Sequence, residues 1–212
     1  ASITVCVGAW NIDDRIPTRS SIASEDMHMA PIGPLLMTAF CILFIEAGLT
    51  YWMPSLLSDQ SGDSTAAAAY MARFFFWFVI VRLTAAALAV WVSTLGFAVF
   101  GLAGICCSLA LVLAGIVPLS ETSFTGAFVG LAFPRAYPSM PTKGGGGTTT
   151  GAKILLSAIT GATLGPWILG WVLPYWGESA VLWLLGSLSL ATASLMLITH
   201  LNVGYRAYQP SQ

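Results

Sequence analysis

The chain has 212 residues, of which 57% are hydrophobic and only 8% charged, with eight Lys plus Arg against nine Asp plus Glu for a net charge of −1. A soluble domain carries about 25% charged residues, so this composition excludes a water-soluble enzyme and a disordered region. With no basic face to displace phosphate counterions, it also excludes a nucleic-acid binder. A mean hydropathy of +0.81 leaves an integral membrane protein, with the lipid bilayer as its first partner.

A hydrocarbon core about 30 Å thick needs about 20 apolar residues per spanning helix. Six runs meet that length, about 32–57, 66–92, 95–117, 119–140, 154–173 and 180–201. None alternates with period two, so a β-barrel is not expected, and helices are what satisfy a backbone in lipid. The expected fold is therefore all-α and transmembrane, a bundle of six helices. Residues 1–30, which hold Asp13, Asp14, Arg15, Arg19, Glu25 and Asp26, read as a polar cytosolic lead or central loop, and residues 202–212 as a cytosolic tail.

Turn chemistry separates the runs. Ser58 to Ser64 is polar, Pro118 suits a first helical turn, Pro141 to Thr150 reads as a flexible Gly-rich linker, and Pro174 to Ser179 reads as a short turn with interfacial aromatics. Arg15, Arg19, Lys143, Lys153 and Arg206 fall on one side of the six spans. The loops on the other side carry Asp59, Asp63 and Glu178 but no Lys or Arg. The positive-inside bias then puts both termini in the cytosol.

Two charges fall near mid-depth. Glu46 is about eleven residues, roughly 16 Å, from the outer end of the first run, and Arg82 about ten residues, roughly 15 Å, from the inner end of the second. A charge there costs roughly 2.5–3.5 kcal/mol on insertion scales. A carboxylate on an ion path with a cationic partner is one reading; a structural ion pair is the other. Arg73 and Arg135 read as side chains snorkelling to the headgroups. The segment Phe133 to Pro141 holds Pro134, Pro138 and Pro141 around Arg135 and Tyr137. Such a break either lines a cavity or frays a helix end.

Small residues mark close helix contacts: Gly126 with Gly130, and Gly161 with Gly165, followed by Pro166 and Gly170. The Gly165-Pro166 step also predicts a kink with a gating capacity. Tyr51, Trp52, Trp77, Arg135 and Tyr137 join Glu46 and Arg82 as candidates for a substrate or proton path, and most of the phenylalanines of the second run read as lipid-facing bulk.

Other signals fail. Gly146 to Lys153 imitates a phosphate loop, but the Lys is one place late and no strand precedes it. Cys6, Cys41, Cys106 and Cys107 lack metal spacing and read as small packers. His28 and His200 have no ligand set, so neither metal nor cofactor is expected, and no catalytic constellation points to an enzyme.

The order of these features resembles the C-terminal half of a major facilitator superfamily transporter, closest to fucose permease-like sugar permeases. Phe44 to Pro54 is similar to that family's seventh helix, Phe76-Trp77 with Val81-Arg82-Leu83 to its eighth, and Phe133 to Ser139 with Thr160 to Gly170 to its tenth and eleventh. The family's Gly after the eighth-helix Arg and its basic loop are missing; Ala85 to Ala87 and Trp91-Val92-Ser93 stand there instead. The resemblance implies half of a twelve-helix fold and proton-coupled symport of a small-molecule substrate, a sugar, by alternating access. It also implies a partner: a separate N-terminal six-helix bundle or a second copy of the chain. Glu46 and Arg82 would then flank the path. The competing expectation is a non-transporting membrane scaffold or a degenerate paralogue.

Overall fold

The computed structural model describes residues 32–88, 94–132 and 147–207. They form α1 (Ile32–Ser61), α2 (Ser64–Leu88), α3 (Thr94–Leu113), a 3-10 turn (Leu119–Phe124) leading into α4 (Thr125–Ala132), and α5 (Gly147–Ala207). There is no strand among the described residues. The described residues make an all-helical fold, and four segments among them are long and apolar enough to cross a membrane: Ile32–Ser61, Ser64–Leu88, Leu95–Leu113 and Gly151–Thr199. Pro134, Arg135, Tyr137 and Pro138, together with the polar lead, lie outside the described residues.

The joints follow from backbone chemistry. Gly62 (φ 66°) ends α1 in the left-handed region, its N–H donating to the Ser58 carbonyl at 2.9 Å. Asp63 then caps α2. One carboxylate oxygen accepts the Thr65 N–H at 2.8 Å and the other accepts the Thr65 hydroxyl. Gly115 (φ 69°) ends α3, where the Ile116 N–H reaches back to the Leu111 carbonyl at 3.0 Å. Pro118 does not begin an α-helix, as its position predicts, but caps the 3-10 turn.

α5 is 61 residues long, about 90 Å if straight. It is not straight. Gly177 (φ 77°, ψ −179°) breaks it where the sequence predicts a turn spanning Pro174 to Ser179. The direction of packing reverses there. Before the break, Ser157 meets Leu36, Gly161 meets Phe40 and Gly165 meets Phe44, so this arm runs parallel to α1. After it, Leu185 meets Gly48 and Thr192 meets Cys41, so the second arm runs antiparallel. Gln60 at the end of α1 donates to Glu178 at 2.7 Å and ties the reversal down.

The core lies where these elements meet. Ile45, Leu49 and Met53 of α1, Phe74 of α2, Leu102, Ile105 and Leu109 of α3, Val129 of α4, and Leu169 and Leu185 of α5 are all essentially inaccessible. α2 presents most of its surface outward, including Phe75, Phe76, Val79, Ile80 and Leu83. Exposure of that kind is what lipid, and not water, tolerates.

Two glycine seams hold the bundle. A Cβ on Gly161 would fall 2.1 Å from the Phe40 carbonyl oxygen, and one on Gly165 2.7 Å from that of Phe44. Likewise, a Cβ on Gly126 would fall 2.2 Å from the Phe74 oxygen, and one on Gly130 2.8 Å from that of Phe78. Each seam is a Gly-x-x-x-Gly helix lying parallel to a Phe-x-x-x-Phe helix. Pairing α1 with α4, and α2 with the first arm of α5, maps one seam onto the other with the Gly and Phe sides exchanged.

Candidate functional site

Glu46 occupies the middle of α1 and is half-buried. Its Oε2 is buried with no hydrogen-bond partner. Arg82 of α2 lies within electrostatic reach of it. The Arg82 guanidinium also sits over the Phe78 ring, 4.9 Å from the centroid, a cation–π contact that partly replaces water around the charge. The α1–α2 hairpin thus brings the two charges within electrostatic range of each other. A buried carboxylate oxygen with no donor is costly, and each such group in a folded protein calls for a reason. Thr50 does not supply the donor, because its hydroxyl donates to the Glu46 backbone carbonyl at 2.9 Å.

Tyr51 and Trp52 do not join that pair. Five residues turn a helix by about 140°, so Tyr51 faces away from Glu46 and toward the first arm of α5. There the Trp52 indole N–H donates to the Pro166 carbonyl at 2.8 Å, and its ring rests on Gly170, whose added Cβ would lie 3.0 Å from Cζ2. Pro166 and Gly170 therefore act together as a seat for Trp52. Tyr51, Thr163, Trp167, Trp171 and Tyr175 complete an open groove of about 600 Å³ between α1 and α5. Sequence reasoning missed this groove. Its signal was present, since Trp167, Trp171 and Tyr175 recur every four residues and share one helical face.

Trp77 is half-buried against Phe124, ring centroids 5.3 Å apart, at the α2–α4 seam. Arg73 approaches Glu121 at 3.7 Å, an exposed ion pair between α2 and the 3-10 turn. Behind it the Tyr70 side chain is buried beside Thr122 and Thr125. Both threonine hydroxyls donate to backbone carbonyls, of Leu119 and Thr122 respectively, at 2.6 Å. The Tyr70 hydroxyl and the Ser123 hydroxyl have no partner of hydrogen-bond geometry. Sequence inspection did not single out this polar cluster, because Thr and Ser at a helix start read as ordinary capping residues.

Residues 147–153 are the start of α5 and are helical. Among the described residues no group of His, Cys, Asp or Glu could hold a metal ion. Cys41 is buried, while Cys107 is exposed on α3.

Comparison with family models, with curated proteins and with solved structures finds no match for this chain.

Proposed function

We propose that the chain is one six-helix half of a secondary transporter that moves a small solute by alternating access, coupled to a proton through Glu46. The observation that carries this reading is the Glu46–Arg82 pair. A half-buried carboxylate with an unpartnered oxygen in the middle of one apolar helix, within electrostatic range of a guanidinium on the next, is expensive to keep without a use. Protonation and deprotonation of Glu46 change the charge that Arg82 feels, which gives the α1–α2 hairpin two electrostatic states.

The count of six takes the two arms of α5 as separate spans and keeps the fourth apolar run of the sequence, about 119–140, as one span. In this reading three helices are followed by three that enter from the opposite side, as in transporters built from inverted repeats. The exchanged glycine seams support that symmetry. The sequence resemblance adds the substrate class, a sugar, and the partner, an N-terminal bundle or a second copy. Both termini are cytosolic in this reading.

The test is uptake of radiolabelled hexoses by vesicles from cells expressing the full coding sequence, with and without an imposed pH gradient. Gradient-driven accumulation that Glu46→Gln abolishes supports the reading. Uptake that is absent in both forms, with the protein correctly inserted, supports the competing one of a non-transporting scaffold.

A further inference from the structure

We infer that the aromatic groove between α1 and the first arm of α5 is a binding site for a neutral, rigid-ringed membrane lipid of the sterol class. The site stands in the leaflet on the Gly177 side of the bundle. This inference needs the helices to be in a membrane but does not depend on transport, and Glu46 faces away from the groove.

Dimension is the first argument. The groove runs along α5 from Thr163 to Tyr175, twelve residues or about 18 Å. One leaflet contributes half of a core about 30 Å thick, or about 15 Å. Tyr175 lies two residues before the reversal at Gly177, so one end of the groove opens at the headgroup level and the other ends near mid-depth. A volume of about 600 Å³ is within the range of small-molecule sites, about 300–1,000 Å³.

Chemistry is the second argument. No charged side chain lines the groove. Trp52 has already given its N–H to the Pro166 carbonyl, and Thr163 its hydroxyl proton to the Ile159 carbonyl at 2.9 Å. Trp167 and Trp171 stand edge to face with centroids 6.1 Å apart, yet they are 63% and 59% exposed. These are large flat surfaces that the fold itself does not use. A polyhydroxylated ligand would find neither carboxylate nor amide here and would bury unpaired hydroxyls. A flexible acyl chain would lose rotational freedom against the rings, whereas a rigid ring system loses little. The phenol of Tyr175, which is 76% exposed and lies two residues before the reversal, supplies a polar group for a single hydroxyl at the wet end.

The experiment uses the whole chain in phosphatidylcholine nanodiscs containing a photoreactive cholesterol analogue, with labelled peptides mapped by mass spectrometry. The expected result is saturable labelling of peptides containing Tyr51 and residues 163–175. Excess cholesterol should compete it away and excess phosphatidylcholine should not. Thr163→Trp fills the groove from an exposed position and should weaken labelling there roughly tenfold, equivalent to about 1.4 kcal/mol. Labelling elsewhere and helix content should not change, and Glu46→Gln should leave the pattern intact. Labelling spread over the exposed faces of α2 and α3 in proportion to their area, or insensitive to Thr163→Trp, overturns the inference. Displacement of the label by glucose or galactose also overturns it and assigns the groove to a soluble solute.

Discussion

Gly161→Ala places the sharpest demand on the bundle. The new Cβ would lie 2.1 Å from the Phe40 carbonyl oxygen, 2.9 Å from its carbon and 3.0 Å from its Cα. All three are backbone atoms, so no rotamer change relieves the clash. Ordinary contact at about 3.4 Å or more requires α1 and α5 to separate by about 1 Å, and they are held at this spot by Ser157 on Leu36 at 2.7 Å. Overpacking of this kind costs about 1–3 kcal/mol, against a gain of up to about 1 kcal/mol from the higher helix propensity of Ala. With the full gain subtracted the net loss is up to about 2 kcal/mol, and relative to the open-space glycine controls it is about 1–3 kcal/mol. The assay is reversible unfolding in mixed micelles, followed by energy transfer between labels on α1 and the first arm of α5. Gly33→Ala and Gly151→Ala, which meet nothing within 4 Å, are the controls and should be neutral or slightly stabilising. Gly126→Ala should match Gly161→Ala, and Gly165→Ala and Gly130→Ala should cost less, because their closest approaches are 2.7 and 2.8 Å. Equal stability of Gly161→Ala and Gly33→Ala would refute the seam.

Further outcomes follow from single contacts. Trp52→Phe keeps a ring over Gly170 but loses the N–H to Pro166, and should cost about 1 kcal/mol in the same unfolding assay. Arg73→Gln should change stability by less than about 1 kcal/mol, since the pair with Glu121 is exposed; a larger loss would mean that the pair is a structural clamp. Hydrogen bonds from Thr65, side chain before backbone, hold the Asp63 carboxyl below its ordinary value. A depressed carboxyl pKa stabilises above the unfolded value and loses that effect as pH falls through the folded one. Protection of the Thr65 amide, its exchange rate set against an unstructured reference at the same pH, should therefore fall once pH drops below the usual carboxylate range, and Asp63→Asn should remove that pH dependence.

Much of this architecture is legible in residue order, because lipid leaves few alternatives to helix. The glycine pairs were visible as spacing, but their partners were not. Phe40, Phe44, Phe74 and Phe78 contribute backbone oxygens to the seams, and nothing in a side-chain pattern reports a backbone atom. Glu46 and Arg82 were legible as costly charges, and the hairpin that joins their helices made their meeting foreseeable. Tyr51 and Glu46 lie close in sequence, but five residues place them about 140° apart on a helix, so they serve different faces. The approach of Arg73 to Glu121 was not legible, because the two are 48 residues apart, beyond any local pattern. The reversal at Gly177 needed one left-handed residue where the sequence offered six turn-prone ones.

The most direct trial of the central claim is proton movement itself. Purified full-length protein in liposomes holding a trapped pH dye receives a hexose pulse with no gradient imposed. The account predicts substrate-evoked acidification of the lumen by the wild type. It also predicts none from Glu46→Gln, which should still exchange labelled for unlabelled substrate. Acidification of equal size from Glu46→Gln would contradict it.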